Sequence, residues 1–349
     1  LAPRFELDGE GRYTSFSVEQ TAHPDWPTLR RHRIGIGMYD EVDGRLVRRS
    51  AVEVDIEGAS TQVAELVGEQ QPDLLLLNEG DLTYAKIRLD ERSLATVIGG
   101  LSKLDDSLAR ALVWGAAWDM TRDAEMSATD FVALVLANIG EESDAWGINR
   151  IPTYALQAVN NYSAKAHRAE LRARYESGLR ELMLAAAPGS DHQLTFVRAY
   201  AAVAHSEQAV TDLEALLDGG LEIEGLAVDQ DLRWTLLTAL AVNGREGTRI
   251  EAEAAADNTI SGQEHAAAAR ASRPTAEAKA EAWEIAMVRD DVANETQRSV
   301  VLAFQRVGQD EVLAPYVEKY LAAADTMWEE KGTQRASTAP WTRPTNEFV

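Results

Sequence analysis

The chain has 349 residues, a formal net charge of −23, an apolar fraction of 45% and no cysteine. Its length allows two domains, or one domain beside an elongated array, and its apolar fraction is ample for a large core. The acidic excess makes nucleic acids and anionic membrane surfaces poor partners, because like charges repel. The lack of cysteine excludes disulfides, thiolate metal sites and a cysteine nucleophile.

Neither a membrane span nor a secretory leader is recognisable in the sequence. No segment reaches the roughly 20 consecutive apolar residues that cross a bilayer. Residues 1–5 contain no initiator Met and none of the basic and apolar segments of a signal peptide. We therefore expect a cytoplasmic protein with no membrane partner, and a sequence that is a piece of a longer chain.

Between residues 12 and 90 the apolar residues alternate with polar ones, which predicts short β-strands. Asp43-Gly44 lies between two such runs and predicts a hairpin turn. The run 74–77 is entirely apolar, as expected for a strand buried on both faces. These patterns predict an antiparallel β-sandwich domain over residues 1–91. The predicted strands cover residues 13–20, 31–40, 51–56, 74–77 and 83–90.

From Ser93 onward the apolar period becomes 3.6, which predicts helices, and Ser127 with Asp130 is typical of a helix start. About 250 residues of short helices favour stacked helix pairs over one round bundle. We predict a helical domain over residues 92–331, a curved solenoid of the HEAT or armadillo kind, and an irregular tail over 332–349. The apolar stripes are Leu101, Leu104, Leu108 and Leu112; Leu171, Tyr175, Leu179 and Leu182; and Leu232, Leu236 and Leu240.

No assembled active site is recognisable in the sequence. None of the six histidines is followed by Glu and no two lie four residues apart, so the helix of a zinc peptidase is missing. A serine nucleophile elbow and a phosphate-binding loop are also missing. His192 and His205 could share a site in principle, but packed or surface positions are more typical of such residues. Gly35-x-Gly37 lies within a strand pattern and indicates close packing.

Acidic pairs and aromatic residues give only weak functional signals. Glu141-Glu142 and similar pairs are expected on solvated faces, because adjacent helical residues point in different directions. Arg233 and Trp234 are the candidate peptide-contacting residues, since arginine and aromatic side chains dominate binding surfaces. The structural alternative for Arg233 is an ion pair with Asp229 on the same helix face. Trp114 and Trp118, one turn apart, are expected in the core.

Several segments together resemble the aminopeptidase N-type zinc metallopeptidases in their actinobacterial form. Residues 72–90, Pro-Asp-Leu-Leu-Leu-Leu-Asn-Glu-Gly followed by Asp-Leu-Thr-Tyr, are similar to the segment that closes the β-sandwich domain of that family. Ala271-Ser-Arg-Pro-Thr275 is similar to part of its helical C-terminal domain, which is of the endoplasmic-reticulum-aminopeptidase kind. The other similar segments are 15–20, 29–40, 107–114, 118–120, 158–162, 232–234, 243–244, 279–283 and 304–320.

The resemblance implies that this chain is the C-terminal part of a peptidase that removes N-terminal residues from peptides. Zinc and the catalytic residues would belong to an upstream catalytic domain, so no catalytic or metal residue is assigned here and the chain should be inactive alone. Its implied partners are that upstream domain and peptide substrate, with no cofactor in the chain itself. The helical domain would close the catalytic chamber and gate or hold peptide. An exposed apolar face for the upstream domain is expected on the sandwich or the first helices.

The alternative hypothesis is an independent helical-repeat scaffold that binds a protein partner and has no enzymatic parent. The two hypotheses differ in what precedes Leu1, because only the first requires an upstream zinc-binding motif.

Overall fold

The computed structural model describes residues 1–324, so the tail predicted over 332–349 lies outside the described residues. The chain divides into two compact units, residues 1–182 and the residues from Met183 onward. Strands occupy the beginning of the first unit and helices follow from Glu91. The chain is thus β followed by α, as predicted, whereas domain boundaries at 91/92 and 331/332 stay predictions.

Within residues 1–324, six strands form two three-stranded antiparallel sheets, with orders β1-β2-β5 and β4-β3-β6. The predicted hairpin at Asp43-Gly44 is confirmed: it joins β3 to β4, and both residues have positive φ, as a tight two-residue turn requires. The apolar run is also confirmed, because every residue of β6 is buried. The strands are β1 Ala2–Leu7, β2 Tyr13–Glu19, β3 His32–Val42, β4 Arg45–Ile56, β5 Ser60–Gln62 and β6 Leu74–Glu79.

The observed strands differ from the predicted ones in two respects. β1 and β5 were missed, because each is short or mostly exposed and shows no clear alternation. The strand predicted over 83–90 is wrong: this segment belongs to no strand, although Ile87 and Leu89 are buried as the alternation requires. The segment instead forms backbone hydrogen bonds with the first residue of the chain, such as the 2.9 Å bond from the Arg88 amide to the Leu1 carbonyl oxygen.

Gly35 and Gly37 give β3 room for a buried carboxylate. A Cβ at Gly37 would lie 2.8 Å from Glu79 Oε2 and 2.9 Å from Tyr39 Cε2. Glu79 is buried and accepts hydrogen bonds of 2.8 Å from the Tyr39 hydroxyl and from Arg48 Nη1. The close packing predicted for Gly35-x-Gly37 is therefore confirmed, and its cause is the side chain and backbone of Glu79.

The helices of the first unit begin at polar caps. Asp90, Asp106, Ser127 and Asp144 accept hydrogen bonds from backbone amides in the first turns of α1, α2, α3 and α4. The continuous stripe predicted from Leu101 to Leu112 is wrong, because α2 begins only after the Asp106 cap. The helices are α1 Glu91–Gly100, α2 Ser107–Arg122, α3 Ala128–Asn138, α4 Ala145–Gln157 and α5 Lys165–Ala185, which ends in the second unit.

A buried ion pair joins α2 to the segment before α4. Arg110 Nη2 lies 2.9 Å from Glu142 Oε1, and both side chains are almost fully buried. Trp114 Nε1 donates to Glu142 Oε2 at 2.8 Å. The solvated position expected for Glu142 is thus wrong, whereas the core position expected for Trp114 and Trp118 is confirmed. Adjacent acids can have different environments because they point in different directions.

In the second unit, side chains connect the C-terminal ends of four helices. Asn243 donates to the Ala204 carbonyl oxygen at the end of α6, and Gln309 donates to the Val242 and Ser272 carbonyl oxygens at the ends of α8 and α10. Lys279 donates to the last carbonyl oxygens of α10 and α12, at Ala271 and Phe304. These bonds satisfy carbonyl groups that have no partner within their own helix. We call the three connecting side chains, Asn243, Gln309 and Lys279, the helix-end ladder.

The ladder spans alternate helices of this unit, and α8 packs against both α6 and α10, while α10 packs against α12. The helices are α6 Asp191–Val203, α7 Glu207–Asp218, α8 Gln230–Val242, α9 Arg249–Ala256, α10 Ile260–Ala271, α11 Ala276–Trp283, α12 Asn294–Phe304, α13 Asp310–Leu313 and α14 Tyr316–Ala324. Within residues 1–324 the shorter 3-10 segments are Ala64–Leu66, Leu101–Lys103 and Ile139–Glu141, and the π-helical segments are Ala158–Tyr162 and Glu284–Val288.

Candidate functional site

Arg233 lies on α8 and is held by an acidic residue of α9. Its Nε and Nη2 atoms contact Glu253 at 2.9 and 2.6 Å, and its Nη1 atom donates to the Leu217 carbonyl oxygen at 3.3 Å. Gln230 Nε2 donates to the same carboxylate at 2.7 Å. The side chain of Glu253 is 7% exposed and that of Arg233 is 36% exposed. Arg233 therefore ties α8 to α7 and α9, while part of its side chain stays exposed.

The ion pair predicted for Arg233 exists, but its partner is Glu253 and not Asp229. Asp229 instead caps α8 and accepts from the Leu232 amide at 2.9 Å. The hydrogen bond from Arg233 lowers the pKa of Glu253, and the same bond raises the pKa of Arg233. Both groups thus stay charged across the physiological range. A bidentate arginine-carboxylate pair of this kind fixes the guanidinium plane.

Trp234 is buried with an exposed fraction of 1%, in contrast to the surface position that a peptide contact requires. Its indole Nε1 donates to Asp257 Oδ2 at 2.8 Å, and its ring stacks on His265 with centroids 6.0 Å apart. In this conformation the ring supports α8 and its neighbours. Peptide contact by Arg233 and Trp234 stays a prediction.

A pocket of about 710 Å³ lies beside Arg233. Leu217, whose carbonyl oxygen accepts from Arg233, is one of its lining residues. Gln193 holds the loop over the pocket, because its Nε2 donates to the Glu224 carbonyl oxygen at 2.9 Å. The lining surface is mixed polar and apolar and includes two carboxylates: Leu216, Leu217, Gly219, Leu221, Glu222, Ile223, Glu224, Gly225, Leu226 and Val228. The size of the pocket suits a side chain of a ligand.

Sequence reasoning missed the most unusual ionisable group, Lys279. Its side chain is fully buried, and its Nζ atom donates at 2.7 Å to two helix-end carbonyl oxygens. Burial lowers the pKa of Lys279 to about 7, and the charge of Arg306 contributes. The negative ends of α10 and α12 compensate part of the cost, since helix C-termini favour cations. No signal in the sequence points to this burial, because Ala-Glu-Ala-Lys at residues 276–279 is typical of an exposed helix.

Metal-ligating groups do not assemble in the part of the chain that the structure describes. Within residues 1–324, no three His, Cys, Asp or Glu side chains lie close enough together to hold a metal ion. His192 Nε2 is buried without a hydrogen-bond partner, and its ring packs against Phe196. Over the same residues, the structure contains no helix of the length and apolarity that a membrane span needs.

The chain belongs to the ERAP1-like C-terminal domain family, whose sequence profile matches residues 74–341. It is also 45% identical over 344 residues to an aminopeptidase N from Streptomyces lividans. That match covers 96% of this chain and 40% of the relative, so the chain spans less than half the length of the protein it resembles. The expected membership in the aminopeptidase N-type family, through its C-terminal part, is thereby confirmed.

Proposed function

We propose that this chain is the non-catalytic C-terminal part of a zinc-dependent aminopeptidase that removes N-terminal residues from peptides. The observation that carries the proposal is the 45% identity to an aminopeptidase N along 96% of the chain. Zinc would be held by an upstream catalytic domain, the partner of this part, in a cytoplasmic enzyme. The alternative of an independent scaffold is not favoured, because it gives no reason for this resemblance.

The proposed architecture is a β-sandwich followed by a curved helical solenoid. Support for the sandwich comes from β2 and β3, which belong to different sheets of one compact unit and both contribute residues with at most 1% exposure, such as Phe16 and Ile36. Support for the solenoid comes from the helix-end ladder, because stacked helix pairs bring alternate helix ends together.

The helical part would close the catalytic chamber and hold the distal part of a peptide. Arg233 and the neighbouring pocket support this role, because a pocket beside a fixed guanidinium suits a peptide side chain next to a carboxylate. Glu253 and the Leu217 carbonyl oxygen already accept from Arg233, so a peptide would approach the part of its side chain that stays exposed. Trp234 supports α8 in this conformation, and its contact with peptide would require the ring to become exposed.

The test compares the isolated chain with the product of the complete reading frame that encodes it. Both are assayed with alanyl and leucyl p-nitroanilides in the presence of zinc, and bound zinc is quantified. We expect turnover and stoichiometric zinc in the complete product, and neither in the isolated chain. Metal-dependent turnover by the isolated chain would reveal a site within it, and no turnover by the complete product would refute an aminopeptidase parent.

A further inference from the structure

Two loops of the first unit present large apolar side chains to solvent. Trp26 and Leu29 lie on the loop between β2 and β3, and Leu82 and Tyr84 lie on the segment after β6. Tyr84 is fully exposed, Trp26 is 78% exposed, and Leu82 is half exposed. Single exposed apolar residues are common, whereas groups of them mark interaction surfaces. We call Leu82 and Tyr84 the apolar pair.

The segment that carries the apolar pair is held in place by hydrogen bonds. Asn78 Oδ1 accepts from the Thr83 amide at 3.1 Å, and Asn78 Nδ2 donates to the Thr83 carbonyl oxygen at 2.8 Å. His32 Nδ1 and Thr83 Oγ1 lie 2.7 Å apart, which connects the segment to the start of β3. Asn78 and Asp81 have positive φ, an unfavourable conformation that these bonds maintain. A preorganised segment loses little entropy when it binds.

The first residue of the chain lies beside the same segment. The Leu1 amine donates to the Lys86 carbonyl oxygen at 2.6 Å, and the Arg88 amide donates to the Leu1 carbonyl oxygen at 2.9 Å. In a longer chain, the backbone N–H of Leu1 would donate the same bond to Lys86. Residues that precede Leu1 in a longer protein would thus enter the fold two residues from Tyr84.

Charged side chains near the chain start are already paired. Lys86 Nζ lies 2.9 Å from Asp123 Oδ2, and Arg88 is paired with Asp123 and Glu125. The apolar pair therefore offers hydrophobic contact, while these ions remain engaged with each other. An apolar surface of the partner would suit it better than a charged one.

We propose that Leu82 and Tyr84 form the docking surface for the polypeptide that precedes Leu1 in the parent enzyme. This inference rests on the proposed function, because it takes its occupant from the larger part of the relative that lies outside the match. Tyr84 is the anchor, since a large aromatic side chain on a rigid segment loses the most exposed apolar area on docking.

The test uses the absence of cysteine from this chain. Single variants Leu82→Cys and Tyr84→Cys are labelled with a thiol reagent, in the isolated chain and in the complete product. Ile260→Cys is the matched control, because Ile260 is 83% exposed on α10, in the second unit. Cysteines of the preceding part are replaced beforehand, and anilide turnover is measured on every complete product.

In the isolated chain we expect all three cysteines to react at similar rates. In the complete product we expect labelling at positions 82 and 84 to slow at least about tenfold, with no change at position 260. Tyr84→Ser in the Leu82→Cys background should restore fast labelling, because the anchor is lost.

Equal labelling rates in both forms, in a complete product that hydrolyses anilides, would overturn this inference and leave the proposed function intact. A complete product without turnover would instead refute the proposed function. Slow labelling of the isolated chain that depends on its concentration would show that a second copy covers the pair, which also overturns the inference.

Discussion

The ammonium group of Lys279 donates a hydrogen bond of 2.7 Å to the carbonyl oxygen of Phe304, the last residue of α12. A matching bond reaches the carbonyl oxygen of Ala271 at the end of α10. A buried lysine paired only with carbonyl groups is costly in its charged form.

Lys279 should make the stability of the chain depend on pH in the alkaline range. Its pKa is about 7 when folded and 10.5 ordinarily, so between these values the unfolded state binds more protons and stability rises with pH. Below pH 7 both states are protonated and the full cost of burial remains. Relative to Lys279→Met, the free energy of unfolding in urea should rise by up to about 1.4 kcal/mol per pH unit between pH 7 and 10. Parallel pH profiles of the two proteins would contradict this.

Arg233 should contribute both to stability and to the binding of longer peptides. Arg233→Ala leaves the carboxylate of Glu253 buried without its cation, so we expect a loss of about 1–3 kcal/mol in urea unfolding. In the complete product, the KM for tri- and tetrapeptides should rise severalfold while the KM for anilides stays constant. An unchanged KM for all substrates would reduce Arg233 to its structural role.

Arg198→Ala is the control for both measurements. Arg198 also forms an ion pair with an acid of α8, Asp231, but both side chains are largely exposed. A surface pair of this kind contributes about 0–1 kcal/mol. The control should therefore change neither stability nor KM appreciably.

Two glycine substitutions should have opposite effects. Gly37→Ala places a Cβ 2.8 Å from Glu79 Oε2, so we expect a loss of about 1–3 kcal/mol. Gly115 lies in α2, and the position that a Cβ would take there is open space. Gly115→Ala should therefore stabilise the chain by about 0.5–1 kcal/mol, because alanine has the higher helix propensity. Thermal unfolding of the two variants beside the original chain is the measurement, and equal shifts would refute the packing argument.

Glu142→Gln tests the buried pair of the first unit. The substitution keeps the shape of the side chain and leaves the charge of Arg110 without its counter-ion. We expect a loss of about 3–5 kcal/mol, because an unpaired buried charge is strongly unfavourable. Glu141→Gln is the neighbouring control, since residue 141 lies on an exposed position. Similar losses in both variants would contradict the assignment.

Local signals in the sequence predicted the parts of the fold that depend on short-range chemistry. Asp43-Gly44 gave the hairpin because few residue pairs adopt two consecutive positive φ values. Ser127 gave the start of α3 because its hydroxyl accepts from the Asp130 amide at 3.0 Å.

The parts that depend on distant partners could not be predicted in the same way. Arg233 was singled out, but its partner Glu253 lies 20 residues away on another helix. The burial of Glu142 depends on Arg110, which is 32 residues distant. Lys279 looks like a surface residue until α10 and α12 are brought together in three dimensions. Long-range pairing decides these environments, and a periodic pattern contains no information about it.

The helix-end ladder makes the ends of neighbouring helices depend on one another. If α12 frays at Phe304, Lys279 loses a partner that also positions it against α10, and Gln309 in turn connects α10 to α8. The loss of one of these hydrogen bonds therefore weakens the next one. The helices α6, α8, α10 and α12 should exchange their amide hydrogens as one cooperative unit rather than helix by helix. Side-chain bonds between helix ends would in this way give this part of the chain the all-or-none unfolding of a globular core.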